Sequence, residues 1–262
     1  MELTSVHNPR LQDIRRAVRT GDATREGFVV VEGPHLLQEA VKSRVEFQSI
    51  VTTAAGQERY SVAIRDADCE VIQVPTRTFG QMTSTETAQE VLAVIRLKEW
   101  TWADLVAGRD PLVLVLDAVQ DPGNAGTLVR SAEAFGASGI VLLSGSVRVS
   151  NPKFLRATAG SILRMAFVER LDARAFLALA RDAKLTLWAL VPRDGESVRA
   201  VDFRTDCALV VGNEGAGVSE LLMRACKRVS ILTRGVESLN ASVACSIALY
   251  EAHNQKMAHE PL

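Results

Sequence analysis

The chain lacks an excess of charge of either sign: 30 lysines and arginines stand against 31 aspartates and glutamates, a formal net charge of −1. Any contact with nucleic acid therefore has to come from local clusters rather than from an overall basic surface. No apolar run approaches the ~20 residues of a membrane-spanning helix. Leu3 to Leu11 is interrupted by Asn8, Pro9 and Arg10, where a signal sequence would be apolar. The four cysteines, Cys69, Cys207, Cys226 and Cys245, stand singly without a C-x-x-C pair, as expected of reduced thiols in a cytoplasmic protein. His7, His35, His253 and His259 show no metal-ligand spacing, so no metal is expected. Also missing is a G-x-G-x-x-G run joining a strand to a helix, which counts against a Rossmann-type nucleotide-dependent oxidoreductase. A hydrophobic content of 47% over 262 residues fits a soluble globular protein long enough for two cores.

Helix and strand patterns alternate along the chain. Asn8-Pro9 opens a helix to about Arg19, with Leu11, Ile14 and Val18 on one side, and Pro34 suits the first turn of a helix reaching Lys42. Phe28–Val31, Phe47–Thr53, Glu70–Val74 and Val91–Leu97 read as strands of a first αβ unit. KEWTWADLVAGRD breaks the rhythm, which predicts domains at 1–98 and 111–262 with a linker at 99–110. Trp100 and Trp102 then either dock something or cover a domain edge. In the second unit, Leu112–Val119, Gly139–Leu143, Arg164–Val168, Leu185–Val191, Ala208–Gly212 and Arg228–Leu232 are apolar and strand-like. Near-continuous apolar strands alternating with helices predict an α/β fold whose mostly parallel sheet is covered on both faces, with ligands beyond the strands' carboxyl ends.

Three segments concentrate the chemistry. LVVGNEGAGVS, Leu209 to Ser219, runs from a strand through a glycine turn holding Glu214 into a helix starting near Val218. Such turns hold ligands through backbone N–H groups, although the same pattern also serves as an ordinary strand-to-helix connection. LDAVQDPGNAGTLVRSAEAFGA, Leu116 to Ala137, repeats the strand, polar turn and helix, and VESLNAS, Val236 to Ser242, leads into a last helix.

Together these segments resemble the SpoU/TrmH-type RNA ribose 2'-O-methyltransferases of the SPOUT superfamily. The family's Asn-x-Gly…Arg, Asn-Glu-Gly-x-Gly and Glu-Ser-Leu-Asn-x-Ser runs are matched by Asn124, Gly126 and Arg130; by Asn213, Glu214, Gly215 and Gly217; and by Glu237, Ser238, Leu239, Asn240 and Ser242. His7-Asn8-Pro9 and Phe28 to Gly33 are similar to that family's substrate-binding domain. The resemblance implies a trefoil knot in the C-terminal domain, a smaller N-terminal domain like ribosomal protein L30e, and S-adenosylmethionine (SAM) held by Gly212, Ile231 and Leu239. One departure bears on SAM affinity. The family usually has Ile-Pro-Met where this chain has Ile231-Leu232-Thr233, losing the proline's preset bend, and the following loop is a residue shorter.

Methyl transfer to a ribose hydroxyl needs the methyl in line with the oxygen, removal of the hydroxyl proton, and exclusion of water. The resemblance assigns Arg130 the proton. A guanidinium with a pKa above ~12 is better matched to clamping a phosphate and a developing alkoxide, and both roles stay open. Asn124 either caps its helix or hydrogen-bonds substrate, and Glu214 either orients Arg130 or caps its own helix. Ser238 and Asn240 either cap the final helix or position substrate.

Between Glu133 and Glu169 no acid occurs, yet Arg148, Lys153, Arg156 and Arg164 do, a run expected to meet RNA phosphates. The last helix, about Asn240 to Lys256, carries Val243, Ala244, Ile247, Ala248, Leu249 and Tyr250 on more than one side, which calls for a second partner surface, either the core of its own chain or, as the resemblance implies, another subunit of a homodimer. The N-terminal unit resembles the ribosomal-protein-like domain of the family's rRNA-modifying members, and the run RATAGSILRM, Arg156 to Met165, is similar to members that methylate large-subunit rRNA, so the resemblance implies ribosomal RNA as substrate. A tRNA 2'-O-methyltransferase and a non-catalytic RNA-binding protein of the same fold are the alternatives.

Overall fold

In the computed structural model, residues 8–83 and 88–258 are described; His7 and His259 lie outside them. In chain order the elements are α1 (Pro9–Thr20), β1 (Val29–Glu32), α2 (Pro34–Lys42), β2 (Glu46–Thr52), α3 (Ala54–Arg59), α4 (Ser61–Asp66), β3 (Glu70–Gln73), α5 (Thr76–Gly80) and β4 (Val91–Arg96). There follow α6 (Trp102–Leu105), β5 (Leu112–Asp117), α7 (Pro122–Ala134), β6 (Gly139–Leu143), α8 (Pro152–Ala157), a 3-10 turn (Ser161–Leu163), β7 (Phe167–Leu171), α9 (Ala173–Asp182) and β8 (Thr186–Leu190). The chain continues through β9 (Glu196–Ser197), β10 (Cys207–Gly212), α10 (Glu220–Ala225), β11 (Lys227–Ser230) and α11 (Ala241–Met257).

Two units form. In the first, the sheet order is β1-β4-β2-β3, antiparallel at its centre and parallel between β2 and β3. Asn8 caps α1, accepting from the Arg10 N–H at 2.9 Å, and Leu11, Ile14, Ala17 and Val18 turn into a core with Phe28, Val30, Val51 and Leu92. Residues 148–164, which the sequence reading set inside the 111–262 domain, group with this unit. The reason is electrostatic as well as apolar. Arg148 pairs with Asp22, Arg156 with Glu32 at 3.2 Å, and Arg164 with Glu39 at 2.6 Å, while Phe154 and Leu155 of α8 are buried. Acids distant in sequence thus answer the acid-free run. A hydrogen bond from Lys42, then one from Arg164, holds the Glu39 carboxyl below its ordinary range. The Glu32 side chain is almost wholly buried where it meets Arg156. Lys153 remains exposed.

The second unit carries a seven-stranded sheet, β7-β6-β5-β10-β8-β11-β9, in which every paired neighbour is parallel. On one face Val113, Val115, Val141, Ala208 and Val210 pack with Phe176 and Ala180 of α9 and Leu222 of α10. On the other, Leu114, Leu116, Leu209 and Val211 are buried, as are Leu128 and Val129 of α7 and Ala248 and Leu249 of α11. Residues expected to form a linker instead belong to this unit: Thr101 and Asp104 make a capping box for α6, Leu105 is fully buried, and the Trp102 ring meets Phe176 edge-on at 6.0 Å. The strand expected at Arg164–Val168 forms three residues later, because Ser161–Leu163 spends its apolar side chains in a tight turn. The helix expected near Val218 starts at Glu220. No helix among the described residues is long and apolar enough to cross a membrane.

Burial decides the thiols. All four cysteines are free; Cys69 is pushed up to about 11, and Cys207 and Cys226 to about 12. Cys245, on the buried side of α11, is raised as well. Thiols this reluctant to ionise are not poised as nucleophiles, and Cys207 and Cys245 are buried core residues.

Candidate active site

The strand order reverses between β5 and β10, whose last residues Asp117 and Gly212 lie side by side. Such switch points at carboxyl ends open crevices that no crossover helix fills. Beside that point, at the carboxyl ends of β8, β10 and β11, a cavity of about 650 Å³ is lined by Leu190 and Val191 at the end of β8, by Gly212 to Gly217 from the end of β10, by Ile231 and Thr233 beyond β11, and by Ser238 to Ala241. Gly212, Ile231 and Leu239, assigned to the cofactor, share this one wall. So do Glu214, Ser238 and Asn240.

The glycine loop is tightly folded. The Asn213 N–H donates to Gly217 O at 3.1 Å and its carbonyl accepts from the Gly217 N–H at 2.8 Å. Asn213 Oδ1 accepts from the N–H groups of Gly215 and Ala216, both at 3.0 Å, and Nδ2 reaches across to Ala118 O at 3.0 Å. Gly212 has to be glycine, since a Cβ there would lie 2.1 Å from the Gly217 carbonyl carbon. In the loop after β11, Thr233 Oγ1 donates to Val236 O at 3.0 Å, closing a turn. Leu232 is 87% exposed, so that bend turns its side chain out of the cavity wall while Ile231 and Thr233 stay in it.

Asn124 joins these loops. Its Nδ2 donates to Glu214 Oε1 at 3.0 Å, while its Oδ1 accepts from Asn240 Nδ2 at 3.2 Å and from Ser242 Oγ at 3.4 Å. Asn124 does not cap α7: Asp121 does, accepting from the Asn124 N–H at 2.7 Å, which frees the asparagine side chain for the network. Asn240 does cap α11, accepting from the N–H groups of Ser242 and Val243. Glu214 takes Asn124, and among the described residues no hydrogen bond or ion pair joins it to Arg130. Arg130 stands exposed on α7, outside both the cavity wall and this network, in the helix that Ser131 ties to Ser246 of α11 at 2.7 Å. Asn213 and Ser242 stood in the family's motif runs without being given a role, and Asp117 was passed over altogether, although an acid ending an otherwise apolar strand was a signal for it.

Known proteins match this arrangement. Residues 111–250 match the SpoU rRNA Methylase family, and residues 8–93 match the MRM3-like substrate binding domain. The chain is 30% identical over 251 residues, 95% of its length and 98% of the relative's, to the 23S rRNA (guanosine(2553)-2'-O)-methyltransferase RlmP of Bacillus subtilis. It is also 30% identical to an uncharacterized tRNA/rRNA methyltransferase of Synechocystis, over 98% of this chain and 94% of that one. Among solved structures, the SpoU methyltransferase AviRb from Streptomyces viridochromogenes in complex with AdoMet superposes with a TM-score of 0.84 at 26% identity, covering 96% of this chain and 99% of that one. The matched residues take in all three glycine- and asparagine-bearing segments that build the cavity and its network, and on that ground the chain belongs to the SpoU rRNA methylase family.

Proposed function

We infer that the protein transfers a methyl group from SAM to a ribose 2'-hydroxyl of RNA, with ribosomal RNA as substrate. The observation that carries this is the union, in one cavity, of Gly212, Ile231 and Leu239 with Glu214, Ser238 and Asn240. At about 650 Å³ the cavity suits a ligand of SAM's size, and its wall of glycine-loop backbone and apolar side chains suits an adenosine that needs N–H and C=O partners on one edge and apolar contact on its faces. When bound, SAM supplies an electrophilic methyl on a sulfonium.

The chain's own residues do the rest. The Gly212–Gly217 backbone and the Ile231 and Leu239 walls hold the ligand, while the Asn124–Glu214–Asn240–Ser242 network fixes one rim of the cavity. Arg130 acts on the substrate side, as a phosphate clamp that also stabilises charge growing on the ribose oxygen as its proton leaves. A second role for Arg130, as acceptor of that proton, is kept for the test given in the Discussion. The first unit, residues 1–99 with 148–164, is assigned to binding the RNA substrate, and its fold is taken to be that of ribosomal protein L30e. The knotted path is taken to be the source of the cofactor loops. Of the basic run, Lys153 is assigned to RNA phosphate, and Arg148, Arg156 and Arg164 contribute through whatever their ion pairs leave accessible. Neither domain is strongly basic, so affinity should fall with salt less steeply than for a very basic protein. The location is taken to be cytoplasmic.

The deciding experiment supplies labelled SAM with deproteinised large-subunit rRNA and, separately, with unmodified tRNA. Label in the rRNA, at a 2'-oxygen, is expected; label only in tRNA favours the tRNA alternative, and SAM binding without transfer to either favours a binding protein.

The working form is a homodimer built on α11. Val243, Ile247, Tyr250 and Met257 are exposed at helical spacing on one side, while Cys245, Ala248, Leu249 and Ala252 are buried on the other. A helix apolar on two sides calls for two partners. Light scattering is expected to return twice the chain mass, and Ile247→Glu to return the monomer; a wild-type monomer at micromolar concentration would exclude this arrangement.

A further inference from the structure

Asp117 is only 6% exposed, ends an apolar strand, and does not line the cavity. Burying a carboxylate is costly unless strong donors meet it. The donor here is the Ser219 N–H, whose nitrogen lies 2.6 Å from Asp117 Oδ2. The next residue, Ala118, adopts a left-handed φ of 55° and its carbonyl accepts from Asn213 Nδ2. Two consecutive residues at the end of β5 thus grip the loop of the neighbouring strand at its entry, Asn213, and at its exit, Ser219. A third grip follows on the same segment, where Asn124 donates to Glu214.

We propose that Asp117 is a positioning residue for the cofactor: through Ser219 it fixes the end of the Gly212–Ser219 loop and so sets SAM affinity without touching SAM. The proposal rests on the reading of the cavity as the SAM site. An apolar side chain could fill the same place at the end of β5, so packing gives no reason for a carboxylate. Its charge strengthens the hydrogen bond to a single backbone N–H, and that N–H terminates the stretch whose backbone forms the cavity wall. Loop placement is therefore what the charge secures, by the same logic by which a supporting hydrogen bond locks a ligand-contacting group.

Asp117→Ala and Asp117→Asn in the full-length protein test this. Removing the acceptor should raise the SAM dissociation constant and the KM for SAM about tenfold or more, with kcat at saturating SAM within a few-fold of wild type. Asparagine keeps an acceptor oxygen without the charge and should fall between the two. Hydrogen exchange should quicken in peptides covering 212–219 and stay unchanged in α11. Wild-type SAM affinity in folded Asp117→Ala overturns the proposal, as does a loss confined to kcat. Should the alanine variant not fold, wild-type affinity and loop exchange in Asp117→Asn overturn it equally. Wild-type protein that takes up no SAM would overturn the cofactor reading and this proposal together, whereas wild-type binding with unaltered variants overturns this proposal alone.

Discussion

Arg130→Ala is expected to reduce methyl transfer by about 10²–10³-fold or more, the cost of deleting a group that stabilises charge only as the reaction proceeds. SAM affinity should stay within a few-fold of wild type. The structure separates the two readouts: Arg130 sits on α7, away from the cavity wall, and makes no hydrogen bond or ion pair among the described residues that its loss would strand. Arg130→Lys distinguishes clamp from base. An ammonium keeps the charge but not the planar fork, so a clamp should retain measurable turnover. A group accepting a proton from the ribose should instead give a variant whose pH–rate profile is displaced from that of wild type. The measurements are single-turnover transfer at saturating SAM and calorimetric titration with SAM. Loss of SAM binding, or an unfolded domain, would make the residue structural and withdraw it from the reaction.

Gly212→Ala should damage the cavity proposed to hold the cofactor. A Cβ at this position would lie 2.1 Å from the Gly217 carbonyl carbon and 2.2 Å from the Val218 nitrogen. Both are backbone atoms, so no side chain can swing aside; the loop must move as a body. Overpacking of this kind costs about 1–3 kcal/mol, and the displaced atoms belong to the cavity wall. SAM binding should fall at least tenfold, a change of about 1.4 kcal/mol, with a lower melting midpoint. Gly215→Ala is the control, because its Cβ would meet only Asn213 Oδ1 at 3.6 Å, an ordinary contact. Equal losses in the two variants would mean that the loop is sensitive to any side chain and that the close approach at Gly212 has no special part.

Much of the site was legible because its chemistry sits in short local patterns. A glycine turn closing an apolar strand is readable from neighbours in sequence, and so is the asparagine opening α11. Nine of the ten strands expected overlap the observed ones within two or so residues at each end, since burial on both faces leaves continuous apolar runs. What stayed hidden depended on residues far apart in the chain. The acid-free run 134–168 reads as a basic surface, yet its three arginines face Asp22, Glu32 and Glu39, more than a hundred residues earlier. The segment expected to be a linker holds Leu105 and Trp102, whose burial needs Phe176 and the β6–β7 face.

By itself, then, the sequence determined the alternation of helices and strands, the glycine loop and the family, because these rest on local backbone preference and on spacing along the chain. Only the tertiary structure decided which groups share a hydrogen bond. Asn124 serves Glu214, Asn240 and Ser242 rather than its own helix, because Asp121 is nearer to the orphan N–H. Asp117 holds a loop about a hundred residues away because β10 inserts beside β5, and that insertion is a property of strand order, to which no single stretch of sequence is sensitive.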